Sequence, residues 1–305
     1  VATGDLVFAL DYNAIREKVI SVIGQGYNQR GYGQPIHSSE ASIGHTISEA
    51  VWNELRIDLW NIKLHQEGNQ VTIPGPTTGQ VIRYGANYPV TGYDTLIDDA
   101  IVSRFTIDAT RSTITAKESE TYNGTWSDTA QCTSVVQFDS VNNARYFFNS
   151  GGKIRFYSSF SANSPSPVNT VWTNLLDMAG TINFGASTPT QVTYYDLTDQ
   201  YKIVHKEIAQ GVYSSNCYYQ ILARCDVPNN ELGTASAVYF RIEWVNDDMS
   251  GVYPPLYPPL YPGGSEVNGT LLMVVDELKA TGPIFPSGTF TITSPIYTLS
   301  TITAS

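Results

Sequence analysis

The sequence predicts an α+β protein, with an N-terminal helical hairpin region followed by a mainly antiparallel, β-sandwich-like region. Three observations carry this expectation. Apolar residues recur at helical spacing in the stretch from Asp11 to Gly68. From about Ile107 the apolar period falls from 3.6 to 2. Short alternating runs separated by turn residues then fill the second half. A chain of 305 residues is long enough for about two domains. The expected division is 1–106, helical with a Gly-rich loop, and 107–305, mainly β with a Tyr/Pro-rich arm at 251–264.

The first helix is expected over Tyr12 to Ile23, capped by Asp11, with Tyr12, Ile15, Val19, Val22 and Ile23 on one face and Gly24 as its stop. The second is expected over Ile47 to Gln66. Thr46 and Glu49 have the spacing of a capping box. Val51, Leu55, Leu59 and Ile62 form one stripe, and Trp52, Trp60 and Leu64 widen the apolar surface. So wide a surface implies two packing partners. One is the first helix; the other is the β region or the same helix of a neighbouring subunit. Residues 71–90 are rich in Pro and Gly and read as a boundary. Asp94 then caps a third helix, Thr95 to Phe105.

In the second half, Cys132, Val136 and Phe138 alternate with polar neighbours, and Val141, Ala144 and Phe148 suggest a short helical turn ended by Gly151 and Gly152. A strand is expected over Lys153 to Phe160, and a helix over Asn169 to Ala179 closed by Gly180. Further strands are expected at Cys217 to Cys225, Val238 to Trp244, Thr270 to Glu277, Thr289 to Thr293 and Ile296 to Ile302. In Val238–Trp244 the second face, Tyr239, Arg241 and Glu243, is wet or meets a partner. The segment GVYPPLYPPLYPGG, 251–264, repeats Tyr-Pro-Pro-Leu and cannot enter a central strand. It reads as a stiff polyproline arm whose Tyr253, Leu256, Tyr257, Leu260 and Tyr261 form an apolar strip.

Composition narrows the function. Charged residues make up 15% of the chain, against a usual ~25%. The net charge is −11 and no basic run occurs, which argues against nucleic acid and anionic membranes as partners. The first ten residues lack the pattern of a signal peptide, and no apolar run is long enough to span a bilayer. Cys217 and Cys225 would lie roughly 26 Å apart on one strand, too far for a disulfide. Reduced, buried thiols made in a cytoplasm are expected.

Candidate chemistry is thin. The loop GQGYNQRGYGQ follows a helix, has Gln29 where a dinucleotide fingerprint needs Gly, and lacks the Lys-Ser/Thr of a P-loop. His37 and His45 share a loop without further ligands at metal spacing, and His65 reads as a cation favouring a helix C-terminus. Ser38–Ser39 and Ser158–Ser159 sit in no nucleophile elbow. Asp98–Asp99 and Asp247–Asp248 are the pairs that would suit a glycosidase. Trp126 and the tyrosines would suit sugar stacking, although aromatics at strand spacing more often form core. No catalytic, metal or cofactor residue is assigned, and no enzyme is expected.

Four segments carry a resemblance: DYNAIREKVISVIGQGYNQRGYGQ at 11–34, AVWNELRIDLWNIKLHQEG at 50–68, NNARYFFNSGGKIRF at 142–156 and VNGTLLMVVDELKATG at 267–282. In order and spacing along nearly the whole chain they resemble virion structural proteins of tailed bacteriophages, especially phages of marine cyanobacteria. The Tyr-Pro repeat looks like an insertion beyond the family pattern. The resemblance implies a non-enzymatic subunit of the virion, made in the host cytoplasm and placed in the tail, collar or fibre. The implied partners are other virion proteins and copies of itself, as a homo-oligomer with three-fold symmetry expected first. The interface is expected at Val51, Trp52, Leu55, Leu59 and Trp60 and at the arm residues Tyr253, Leu256, Tyr257, Leu260 and Tyr261. The alternative is a tail protein that binds or cleaves a host-surface glycan.

Overall fold

The computed structural model describes residues 9–25, 30–42, 47–68, 73, 92–187, 189–209, 217–229, 232–246 and 266–305. It is an α+β fold whose N-terminal helices precede a strand-rich region. The chain forms two compact units. The first comprises 1–113, 142–152 and 279–294; the second comprises 114–141, 153–278 and 295–305. Two short segments from the strand-rich part of the chain, 142–152 and 279–294, therefore complete the helical unit.

In the first unit, α1 (Ala9–Ile23), α2 (Glu49–Glu67) and α3 (Tyr93–Val102) pack on one another. Tyr12, Ile15, Val19 and Val22 of α1 are buried, at the helical spacing read from the sequence. The Tyr12 ring meets Trp52 edge-on at 5.2 Å, and Trp52 meets Tyr93 at 5.5 Å. The cap of α2 is Ser48, whose hydroxyl accepts from Val51 N at 3.4 Å, so the helix begins two residues later than a Thr46 cap would place it. Thr46 lies outside the described residues. On α3, Gly92 is the cap and Asp94 sits in the first turn, and the helix ends at Val102 rather than Phe105. The turn expected near Val141 is a full helix, α4 (Val141–Asn149).

The second unit is a pair of sheets. One has the order β1 (Ser112–Trp126), β8 (Val267–Ala280), β3 (Lys153–Ala162), β4 (Thr181–Phe184). The other runs β2 (Thr129–Gln137), β7 (Ala237–Val245), β6 (Tyr218–Cys225), β5 (Lys202–Ile208), with β9 (Ile296–Leu299) and β10 (Thr303–Ala304) sharing the far side of β2. Side chains alternate as a pleat demands: on β8, Val267, Leu271, Met273 and Val275 are buried and their neighbours are not. The buried faces meet through Phe156 and Phe240, 4.7 Å apart, and through Trp244 Nε1, which donates to Ser158 Oγ at 3.0 Å. Helix α5 (Pro167–Ala179), capped by Ser166, packs on β3, β5 and β6 and buries Trp172 beside Trp126.

Two expectations about strands need correction. Within Ile296–Ile302 only Ile296–Leu299 is strand, and the next strand, Thr303–Ala304, lies beyond it. Thr289–Thr293 is not a strand, because its backbone pairs with a side chain: Thr291 N donates to Gln34 Oε1 at 3.0 Å, and Gln34 Nε2 donates to Thr291 O at 3.1 Å. None of the three cysteines is in a disulfide, and all are buried.

Candidate functional site

The glycine-rich loop is where a ligand cradle would be sought. The last carbonyls of a helix have no partner within it. Here the returning chain supplies them: Tyr32 N donates to Val22 O at 2.8 Å, Gln34 N to Ile23 O at 2.8 Å and Gly33 N to Gly24 O at 2.7 Å. These amides cap α1 and are not turned toward an anion. Gly33 has φ +69°, and a Cβ there would lie 2.4 Å from the Tyr146 ring, so glycine is required for close approach. Residues 26–29 lie outside the described residues.

A groove of ≈ 990 Å³ opens beside the loop, walled by Ile20, Pro35, Ile36 and Tyr146 with Glu17 and Lys18 among its polar lining. It brings together one carboxylate and one ammonium on an apolar wall and no nucleophile–base pair.

Below the loop lies a buried polar cluster. Tyr32 donates to Arg104 O at 2.7 Å and accepts from Gln66 Nε2 at 2.9 Å, and Gln66 also donates to Ala100 O at 2.8 Å. Asn149 Nδ2 donates to Gly31 O at 2.9 Å. His65 stacks on Phe290 at 4.5 Å, and its Nε2 donates to Ser150 O at 3.0 Å. It is therefore not a solvated cation favouring the helix end. Burial pushes its pKa down to about 3, so the ring is neutral.

That shift has a measurable consequence. Below pH 6.5 the unfolded chain binds a proton at this histidine that the folded chain does not, so stability falls on acidification through the window from 6.5 toward 3. Between pH 6.5 and 5 the loss from this group is about 2 kcal/mol, since one pKa unit is about 1.4 kcal/mol. Urea unfolding at the two pH values, compared in wild type and His65→Gln, isolates it. The glutamine keeps an N–H for Ser150 O and should flatten the slope; an unchanged slope contradicts the assignment.

Three further side chains stitch the first unit by imitating a peptide group. Asn13 pairs with both backbone groups of Ala41, each bond 2.9 Å. Asn61 donates to Phe285 O at 3.0 Å and accepts from Phe285 N at 2.9 Å. Gln34 does the same at Thr291. Asp58, fully buried, accepts from His37 N, Ser38 N and Ser38 Oγ and pairs with His37 Nδ1 at 2.9 Å. Asp58 thus anchors the His37–Ser38 segment to α2. Sequence spacing alone does not reveal these pairings.

The remaining candidates are placed as follows. Trp52, Leu55 and Leu59 are buried in this chain's own core. A partner would have to meet α2 elsewhere, near the half-exposed Val51 and Trp60, whose ring abuts Phe285 at 4.4 Å. Tyr253, Leu256, Tyr257, Leu260, Tyr261, His45 and Asp247–Asp248 lie outside the described residues. Asp98 and Asp99 are exposed, and Asp98 pairs with Lys18 at 2.7 Å. Ser158 Oγ donates to Leu272 O at 3.0 Å inside the sandwich. Trp126 is buried against Phe160 and Trp172 and offers no face to a sugar. Burial pushes the Cys132 and Cys225 thiols up to about 12, which leaves no thiolate to react. Among the described residues no three His, Cys, Asp or Glu side chains gather as metal ligands, and no helix is long and apolar enough to cross a membrane.

No family model, curated protein or solved structure matches the chain.

Proposed function

We propose that this chain is a non-enzymatic structural subunit of a tailed-phage virion, an exterior tail, collar or fibre component that assembles with copies of itself. The observation that carries this reading is where the phage-like segments go. Three of them, 11–34, 50–68 and 142–156, supply the interlocking groups of the polar cluster: Gly31, Tyr32 and Gly33 from the first, His65 and Gln66 from the second, Tyr146, Asn149 and Ser150 from the third. The likeness therefore falls on residues that hold a scaffold. Virion parts need such scaffolds and assemble by burying complementary surfaces.

Sedimentation of the purified chain tests this reading. A discrete homo-oligomer is expected. A monomer at high concentration that also degrades host polysaccharide would sink it.

The arm gives a second test. Asn246 Oδ1 accepts from Trp172 Nε1 at 3.3 Å, and Asn268 N donates to Asn169 Oδ1 at 3.0 Å. The chain thus leaves β7 and enters β8 beside neighbouring positions, i and i+3, on α5. Deleting Tyr253 to Pro262 is expected to leave thermal unfolding within about 1 kcal/mol of wild type, the scale on which connection length alters closure entropy, and to weaken assembly. Unchanged assembly would remove the arm from the interface.

A further inference from the structure

The outer face of the six-stranded sheet carries a charge pattern unlike the rest of the chain. On β6 and β7, Arg224 stands opposite Tyr239, Leu222 opposite Arg241, and Gln220 opposite Glu243; on β5, Lys206 stands opposite Gln220. These alternate in register with Tyr219, Ile221, Phe240 and Ile242, so they lie on the opposite face of the sheet, where Gln220 and Leu222 are also buried and Lys206, Arg224, Tyr239, Arg241 and Glu243 are part-exposed. The face holds three cations, Lys206, Arg224 and Arg241, against one carboxylate, Glu243, on a chain of net charge −11.

The cations are held in place. The Arg224 guanidinium lies 4.3 Å from the Tyr239 ring centre and 5.4 Å from that of Tyr201, and Arg241 lies 4.9 Å from the same Tyr201 ring. Lys206 Nζ sits 3.7 Å over Tyr218. Arg241 Nε is 2.7 Å from Glu243 Oε1, whereas no carboxylate pairs with Arg224 among the described residues. Two guanidinia therefore share the Tyr201 ring, and only Arg241 of the two is paired with a carboxylate. Their mutual repulsion is relieved by an acidic occupant, and their stacking means that little side-chain freedom is lost when one binds. Tyrosine and arginine side by side are also the residues that dominate protein–protein contacts.

Helix α3 has the opposite character. Its ten residues include Asp94, Asp98 and Asp99 and no base. Asp98 and Asp99 are exposed, Asp98 in a solvent-accessible pair with Lys18 of α1 at 2.7 Å that an incoming guanidinium would have to displace, and Val102 beyond them is 85% exposed. The helix is about 15 Å long. Arg224 lies four residues along and one strand across from Lys206, a span of about 14 Å.

We propose that the Lys206–Arg224–Arg241 face of one copy seats α3 of a second copy, with Asp98 and Asp99 against the two guanidinia. The contact joins different surfaces, so it is head-to-tail and closes into a ring or continues as a filament. It rests on the reading of the chain as a self-assembling subunit and names the surfaces that do it.

Charge reversal in the full-length chain tests the proposal, read by sedimentation velocity at low and high salt, with circular dichroism as the check on folding. Arg224→Glu with Arg241→Glu should weaken association roughly tenfold or more, and so should Asp98→Lys with Asp99→Lys. A mixture of the two variants should recover assembly with the two alternating, because the unchanged face of one meets the unchanged α3 of the other and the two reversed surfaces also complement each other. All four changes in one chain should restore assembly. Wild-type assembly by either variant, or no recovery in the fourfold variant, overturns the proposal and leaves the self-assembly reading intact. A wild-type chain that stays monomeric overturns both, as does one whose Arg224 face binds polygalacturonate while remaining monomeric.

Discussion

Asp58→Ala is expected to destabilise the chain by about 3–5 kcal/mol, the range for removing one partner from a buried charged network. The carboxylate is fully buried on α2 and is the shared acceptor for two backbone amides, a hydroxyl and an imidazole nitrogen of His37 and Ser38. Alanine leaves those donors buried or half-buried with nothing to accept from them, and each orphaned donor costs about 1–3 kcal/mol. Ser38→Ala, which removes a single donor, should cost only about 1 kcal/mol. Asp58→Asn should fall between the two, because one carboxylate oxygen becomes an NH2 group facing other N–H groups. Urea midpoints followed by helix ellipticity rank the three variants. A loss under about 1 kcal/mol for Asp58→Ala would mean that the 37–38 segment is not anchored to α2 in this way.

Gly33→Ala is expected to cost about 2–5 kcal/mol, by two separable routes. A side chain at φ +69° costs about 1–2 kcal/mol in backbone strain. The new Cβ would lie 2.4 Å from the Tyr146 ring, and forcing α4 aside adds about 1–3 kcal/mol of overpacking. Tyr146→Ala removes the obstruction but not the strain. The double variant Gly33→Ala/Tyr146→Ala should therefore be less destabilised than the sum of the singles, with a coupling of about 1 kcal/mol or more. Strict additivity would show that the ring does not limit this position. The outcome bears on the whole loop, since a ligand cradle would lose binding on this substitution and a structural joint loses stability.

The helices and the central strands were legible because their burial has a period. Tyr12, Ile15 and Val19 on α1 repeat every three or four residues, and Val238, Phe240, Ile242 and Trp244 on β7 repeat every two. The long strand β1 was not legible, because along Ser112–Trp126 only Trp126 is fully buried and no apolar alternation marks the rest. Strand β5 was hidden by a bulge between Ile203 and His205 that breaks its period. The stitching of the first unit could not be read at all. Gln34 and Thr291 are 257 residues apart in sequence, and nothing local distinguishes a glutamine that will imitate a strand from one that will face water. His65 misled for the same reason: a histidine in the last turn of α2 suits the helix end as a cation, until Phe290 and Ser150 arrive from far along the chain to bury it.

The interface residues divide along the same line. A wide apolar surface on α2 implied a second partner, and the first unit meets much of that demand internally: Tyr12 and Tyr93 cover Trp52, and Phe285 abuts Trp60. Sequence periodicity reveals that a face will be buried and not what buries it.

The central claim is that the chain is a building part of a phage particle. The most direct measurement is a density map, with peptide identification, of washed particles purified from infected cells that make this chain. The account predicts several symmetry-related copies outside the capsid shell, in the tail, collar or fibre, each fitted by the two units described above. Particles that contain no peptide of this chain would contradict it.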